Sequence, residues 1–353
     1  MRFLLKFYLL LAAFFSVLLL FEASQATLFL ANIRLYILAP VLAILLQCFR
    51  RRNWLPWLPA TLVALFGFPW YLFHTPDYCA EGMTPSPRQS TTALERGAQD
   101  DRDSTTVINV MTLNLAGSSM PGKRNLSALI SNNNIDVLSL QEVSPGFWKT
   151  EGAELKKRLP YVAYRRDDEG YWTQALLSKE PLSEIRFVDP GPGFSPKGAR
   201  LIVQARWQGA VEMEFNSVHL SVPFRRGDCR GIPCLLLRYD QSDRDAQLQK
   251  LQTLSLARAP APSVILGDLN LSDQNPVYRS FSGRAMDAGA CESWNGTWPA
   301  DDTFLFPFLR IDYVLIFPDH PGRRASRVRS YRVTIPGTDH LALISEIRFP
   351  TNR

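Results

Sequence analysis

Charge is scarce in this sequence. Asp, Glu, Lys and Arg make up 20% of its 353 residues, against 46% hydrophobic. An intrinsically disordered chain is excluded, because it needs high charge and little apolar surface. Collagen-like and disulfide-stapled miniprotein compositions lie equally far away, the latter because only five cysteines are present. Absent too are the G-x-x-x-x-G-K-[ST], G-x-S-x-G and H-E-x-x-H signatures, so P-loop nucleotidase, α/β-hydrolase and zincin readings lack their residues. The apolar runs are too irregular for a repeat architecture. Cys229 and Cys234, with no histidine close by, have poor spacing for zinc. What remains is a chain long enough for one large domain and an additional segment.

The net charge of +6 hints at a polyanionic partner until it is divided along the chain. Residues 1–75 carry Arg2, Lys6, Arg34, Arg50, Arg51 and Arg52 against Glu22, giving +5, and leave 33 basic and 32 acidic groups for residues 76–353. The excess belongs to the N-terminal segment, so bulk charge gives no argument for nucleic-acid binding.

That segment contains three apolar runs, 3–21, 28–49 and 54–73. Each approaches the ~20 residues needed to cross a bilayer as a helix. Arg34 in the second run would snorkel to the nearer interface. Trp54, Trp57, Trp70 and Tyr71 bracket the third like an aromatic belt. Arg2 and Lys6 precede the first run and Arg50, Arg51 and Arg52 fill the loop before the third. The positive-inside rule therefore places both basic flanks in the cytoplasm and everything after Phe73 outside. The first run also fits a signal peptide, with small residues at Ala23-Ser24-Gln25-Ala26, and that reading leaves the topology unchanged. Cys79, Cys229, Cys234 and Cys291 would then lie where disulfides persist. Cys229 and Cys234 are the favoured pair, and four free thiols are the alternative, because connectivity is not legible from sequence.

Residues 76–105, with Met83-Thr84-Pro85-Ser86-Pro87 and a charged run to Asp103, read as a linker. From there to residue 351, β-rich runs alternate with helical stretches. Strands are expected at 107–115, 136–140, 174–177, 200–206, 211–218, 263–266, 310–317 and 341–349, and helices at 126–131 and 243–257. The second helix would place Leu248, Leu251 and Leu254 on one face. The expectation is a mixed α/β domain over 106–351.

The chemistry-bearing residues fall at the ends of these runs: Asn114 in VINVMTLNL, Glu142 after DVLSLQ, His219 after FNSV, Asp268 and Asn270 in VILGDLN, Asp312 in IDYVLIF, and Asp339-His340 before LALISEI. An Asp after a strand is more often a cap or turn residue, but GDLN reads as a glycine turn that exposes an acid and an amide, Asp268 and Asn270. Carboxylates, amides and imidazoles at successive strand ends, however, converge on one rim of a sheet, where ligand sites are commonly built.

TLNL, LQE, HL, GDLN, IDYVL and TDH, in that order, resemble the endonuclease/exonuclease/phosphatase superfamily over about residues 106–351. The resemblance implies a four-layer α/β sandwich of the DNase I type, here preceded by transmembrane helices, and a metal-dependent phosphoester hydrolase. Membrane-anchored bacterial members are known in that family. Glu142 and Asn114 would hold Mg²⁺ (or Mn²⁺), with Asp339 as a second ligand or orienting group. Asp268 would activate water and Asn270 would bind phosphate. Asp312 would hold His340, a phosphate donor, with His219 as a second phosphate-facing imidazole. The pattern suits phosphoryl transfer: magnesium takes oxygen ligands and keeps several waters, so few protein groups suffice. Thr338 stands where Ser is usual and keeps the hydroxyl.

His74 and His320 match no motif and read as surface or interface residues. The arginines at 225, 226, 230 and 238, and those at 323, 324, 327, 329 and 332, read as substrate-binding or solvated loops; the second group could also face anionic lipid. The sequence thus points to a membrane-anchored, Mg²⁺-dependent phosphoester hydrolase. Its catalytic domain is expected on the periplasmic or extracytoplasmic side of the cell membrane, with no obligate protein partner. The substrate would be a lipid head group, a small phosphodiester or a nucleic acid, the last making it an anchored nuclease. A non-catalytic phosphate-binding module is the reading from another class.

Overall fold

Twelve strands alternate with five helices over the residues that the computed structural model describes, namely 105–117, 126–165, 173–192, 201–223, 239–256, 261–283, 285–292, 296–300, 306–317 and 327–350. The strands are β1 Thr105–Asn114, β2 Val137–Val143, β3 Tyr161–Tyr164, β4 Thr173–Ser178, β5 Leu182–Val188, β6 Ile202–Gln208, β7 Glu212–His219, β8 Ser263–Asp268, β9 Met286–Asp287, β10 Asp312–Phe317, β11 Arg327–Thr334 and β12 Leu341–Pro350. The helices are α1 Leu126–Asn132, α2 Pro145–Thr150, α3 Gly152–Arg158, α4 Ser242–Leu256 and α5 Pro276–Ser282. The runs expected at 3–21, 28–49 and 54–73 and the linker at 76–105 lie, all but Thr105, outside the described residues. Among the described residues no helix is long and apolar enough to cross a membrane.

The described residues fall into two compact units. The larger takes those within 105–223, 242–271 and 281–350; the smaller takes 239–241 and 272–280. In the smaller unit Gln241 Oε1 accepts from Asn275 Nδ2 at 3.0 Å and from the Tyr239 hydroxyl at 2.9 Å.

The larger unit holds two six-stranded sheets, ordered β11-β12-β1-β2-β4-β3 and β5-β6-β7-β8-β10-β9. The strands nearest the site, β1, β2, β7, β8 and β10, are buried on both faces over most of their length, and β8 and β10 read as almost continuous hydrophobic runs. One core fills the space between the sheets, with Val110, Val137, Leu176, Phe215, Leu266 and Ile316 among its members. A second core, including Leu113, Leu140, Ile130, Phe147 and Leu155, packs α1, α2 and α3 on the outer face of the first sheet. Helix α2 starts where Ser144 Oγ caps the Phe147 amide and Pro145 supplies the first-turn φ. Helix α4 lies against β8, with Leu248 and Leu251 buried and Leu254 half-buried. The two-sheet fold expected from the resemblance is therefore present, with helices outside both sheets.

Polar contacts fix how the sheets face one another. Ser139 Oγ on β2 bonds Ser217 Oγ on β7 at 2.7 Å and the Leu266 carbonyl on β8 at 3.2 Å. Unpaired, each buried group would cost about 1–3 kcal/mol, so this contact selects one stagger of the sheets.

All eight expected strands form, with bounds shifted by at most three residues. Missed were β3, β5, β9 and β11. Their sequences lack a clean apolar run because all four are sheet edges, β3 and β5 with half-exposed or exposed positions. The arginines read as a loop from 323 onward are corrected in part: Arg327, Arg329 and Arg332 lie on edge strand β11. Arg332 is tied down, Nε to Glu292 Oε2 at 3.0 Å and Nη1 to the Gly296 carbonyl at 2.6 Å, so it is not available to lipid. Positive charge on an edge strand also disfavours pairing with another chain. Arg323 and Arg324, and the arginines at 225, 226, 230 and 238, lie outside the described residues, as do His74 and His320. Cys291 is disulfide-bonded, which overturns the reading of four free thiols. The four other cysteines, including the favoured pair Cys229 and Cys234, lie outside the described residues.

Candidate active site

Strand register assembles the site. Parallel pairing of β7 with β8 sets His219 beside Asp268, and antiparallel pairing of β8 with β10 sets Asp268 beside Asp312. Imidazole, carboxylate and carboxylate thus stand in one row across the end of the second sheet. The first sheet contributes Asn114 from the end of β1 and Glu142 from β2, and Asn114 Nδ2 donates across to Asp268 Oδ2 at 3.1 Å.

Three left-handed backbone positions, one of them in a bulge, aim these groups. The β2–β4 ladder breaks register between Leu140 and Val143, and within that bulge Glu142 has φ +53°. Asn270 has φ +49° and Ala116, two residues past Asn114, has φ +51°. Non-glycine residues in this region cost of order 1–3 kcal/mol and tend to gather at functional sites. Three of the five among the described residues border the site, and hydrogen bonds hold two of them: the Ala116 amide donates to Asn114 Oδ1 and the Asn270 amide to Asp268 Oδ1.

The glycine of GDLN is explained by close approach rather than by a turn. Gly267 lies within β8 at φ +149°, and a Cβ there would come within 1.9 Å of the Val218 carbonyl oxygen. The turn itself falls at Asn270. Asp268, expected to be exposed by that turn, is instead buried at 1% exposure. Burial pushes its carboxyl up to about 7, with the neighbouring Asp312 adding to the rise and His340, the Asn270 amide and Asn114 opposing it. Such a group sits close to half-ionised at neutral pH.

His340 is also buried, and its Nδ1 lies 2.9 Å from Asp312 Oδ2. Burial alone would lower its pKa. The charge and hydrogen bond of Asp312, with Asp268 and Asp339, outweigh that and push it up to about 9. His340 is therefore the imidazolium at neutral pH, with Nε2 left to face a ligand. His219 Nε2 stands 3.6 Å from both Glu142 Oε1 and Asp268 Oδ2, so it faces the two carboxylates rather than the hydrophobic core.

Asp339 is the outlying member. Its side chain is 36% exposed, Oδ2 accepts from Trp298 Nε1 at 2.8 Å, and Oδ1 lies 3.9 Å from His340 Nε2. Thr338 supports the same turn, its hydroxyl donating to the Asn114 carbonyl and accepting from the His340 amide. Sequence reasoning missed Trp298, and also Thr297, whose hydroxyl oxygen accepts the amides of Ile311 and Asp312. Nothing in Thr-Trp-Pro marks either residue, since both act only through contacts far away in sequence.

All eight expected site residues thus converge on one rim. As cation donors they divide unevenly. Among the described residues, the carboxylate and imidazole groups packed tightly enough to share an ion are Asp268, Asp312 and His340. His340 spends Nδ1 on Asp312 and carries a proton at neutral pH, so it offers a cation no lone pair. Oxygen donors suited to magnesium remain on Glu142, on Asp268 and on the Asn114 amide oxygen. Asp312 Oδ1 is buried without a hydrogen-bond partner, which leaves a further negative oxygen to stabilise positive charge in the site. The residues fit a hard divalent cation.

Comparison with known proteins follows from this geometry. No curated protein matches the sequence. Among solved structures, an endonuclease/exonuclease/phosphatase family protein from Bacteroides thetaiotaomicron is 18% identical, with TM-score 0.52, covering 69% of this chain and 98% of its own. Beta toxin from Staphylococcus aureus is 18% identical, with TM-score 0.50 over 67% of this chain and 99% of its own. TDP2 from D. rerio, in a complex with single-strand DNA product, is 15% identical, with TM-score 0.51 over 69% and 99%. These likenesses establish a shared fold. The model of one family matches residues 111–340, which reach from β1 through His340 and include every residue of the site. With well over half of its length matched, the chain belongs to the Endonuclease/Exonuclease/phosphatase family.

Proposed function

We propose that this chain is a membrane-anchored, Mg²⁺-dependent phosphoester hydrolase whose catalytic domain faces the extracytoplasmic side of the cell membrane. The observation that carries the hydrolytic reading is the buried cluster of Asp268, Asp312 and His340, in which Asp312 bonds His340 Nδ1, Asn114 bonds Asp268, and the pKa values of the Asp268 carboxyl and the His340 imidazolium are both raised. At neutral pH this leaves a carboxyl partly ionised to act as base beside an imidazolium able to act as acid.

Asp268, once ionised, accepts the proton of a water attacking phosphorus, with Asn114 Nδ2 and the Asn270 amide fixing the carboxylate plane. His340 donates from Nε2 to a phosphoryl oxygen, and Asp312 keeps the ring oriented and charged. Asn270 spends one amide hydrogen on the Leu220 carbonyl and turns the other to phosphate. His219, facing Glu142 and Asp268, supplies a second donor. A divalent cation held by Glu142 and Asn114 would neutralise phosphoryl oxygens. Asp339, fixed by Trp298, adds negative charge beside His340.

Support for the anchor comes from the three apolar runs and their basic flanks, and support for the outer compartment from the disulfide at Cys291. The near-neutral charge of residues 76–353 favours a lipid or small phosphoester over a long polyanion. The test gives the full chain plasmid DNA, RNA and mixed phospholipid vesicles, with Mg²⁺ or EDTA, and reads phosphate-bearing products by mass spectrometry. Metal-dependent head-group release supports a lipid phosphodiesterase, nucleotide fragments an anchored nuclease. No product from folded protein would leave a phosphate-binding module.

A further inference from the structure

Helix α4 lies outside every motif that defines the site, yet two of its side chains reach the turns that carry it. Arg244 and Gln247 are three residues apart, so they share one face of the helix. Arg244 is buried at 1% exposure and its Nη1 donates to the Asn270 carbonyl. Gln247 is equally buried. Its Oε1 accepts the Ser221 amide at 2.9 Å, while Nε2 donates to Ser221 Oγ at 2.9 Å and to the Pro192 carbonyl at 2.7 Å. The two turns they hold also bond each other: the Leu220 amide donates to the Asp268 carbonyl, and Asn270 Nδ2 to the Leu220 carbonyl.

We propose that Arg244 and Gln247 are positioning residues for phosphoester hydrolysis, acting from one helical face to fix the turn after His219 against the turn bearing Asp268 and Asn270. The reading rests on the hydrolytic function proposed above. The Asn270 turn stores left-handed strain, and its carbonyl has a buried guanidinium as donor. Without that donor the turn relaxes and carries the Asn270 amide away from phosphate. A charge-assisted bond to a buried carbonyl is stronger than a neutral one and holds a strained peptide accordingly. Gln247 acts on the other turn and, through Pro192, couples it to the segment following β5. A displacement of about 1 Å in such a supporting contact can slow turnover up to about 100-fold without touching substrate.

The test uses the full chain with Arg244→Lys, Arg244→Met and Gln247→Glu, and bis(4-nitrophenyl) phosphate with Mg²⁺ as the probe. Gln247→Glu keeps the acceptor for the Ser221 amide and removes both donors, in nearly the same volume. Each variant is expected to melt cooperatively, with kcat lowered roughly 10- to 100-fold and KM changed far less. Arg244→Lys should retain more activity than Arg244→Met. Hydrogen exchange at the Ser221 and Asn270 amides is expected to speed up in the variants with the rest of the domain unchanged. This readout needs no turnover and decides the case for any variant too unstable to assay, at a temperature where it is folded. Wild-type kcat in all three folded variants, or unchanged exchange at both amides, would overturn the proposal. An inactive wild type that still shows the local exchange change would instead sink the hydrolytic reading and leave the clamp in place.

Discussion

Replacing Asp312 with Asn removes the charge that keeps His340 protonated while retaining an oxygen for the Nδ1 hydrogen, and it also relieves Asp268 of a charge that raises its carboxyl. In the native protein burial works against the imidazolium, and Asp312 is the largest influence holding it up at about 9. With that charge gone, the pKa falls toward the 6.5 of a free histidine. At pH 8 the protonated fraction then drops from about 0.9 to about 0.03, so the activity that needs the donor falls roughly 30-fold. Stability changes with the same sign. A histidine raised in the fold contributes stability that is fully present below pH 6.5 and lost as the pH climbs through 9; the raised value corresponds to about 3 kcal/mol. The variant should lack that increment at neutral pH and lose less stability between pH 7 and 10. Two assays check this: NMR titration of the His340 ring carbon in EDTA, and the pH–rate profile with Mg²⁺. A His340 that still titrates near 9 in Asp312→Asn, or an alkaline limb that does not move, would refute the reasoning.

Three further outcomes are expected. Asp268→Asn should abolish turnover while raising Tm in EDTA. A carboxyl raised from 3.8 to about 7 costs the fold progressively across that window and fully above it, so the gain should be several degrees at pH 8 and small at pH 4. Calorimetry showing equal Tm for the two proteins at pH 8 would refute it. Gly267→Ala should leave no cooperatively folded protein by circular dichroism, because its Cβ would meet the Val218 carbonyl at 1.9 Å in a backbone conformation foreign to alanine. Glu142→Gln should shift the Mg²⁺ concentration for half-maximal activity upward by about tenfold or more, as expected for a lost charged oxygen donor; an unchanged metal titration would remove Glu142 from the cation site.

The parts of this site that sequence made legible are those where one residue type has one job at one place. Asp268 and Asn270 end a buried strand, Asp312 and His340 flank two more, and apolar runs on both faces marked those strands plainly. Edge strands β5 and β11 stayed hidden because half-exposed positions carry charge and blur the alternation. Asp268 was read as exposed, since a glycine beside an acid resembles a turn. Only the spatial approach of Val218 shows why the glycine is there and how the acid becomes buried. Trp298, Arg244 and Gln247 were invisible for a related reason: each acts on a residue 26 or more positions away in the sequence, and nothing local in composition records such a contact.

The most direct test of phosphoester hydrolysis at this site is turnover of bis(4-nitrophenyl) phosphate by the full chain at pH 7.5, with Mg²⁺ and with EDTA, beside the Asp268→Asn variant. Release of nitrophenol that requires the metal and disappears in the variant is the predicted result. Equal release by both proteins, or release that survives EDTA, would contradict it.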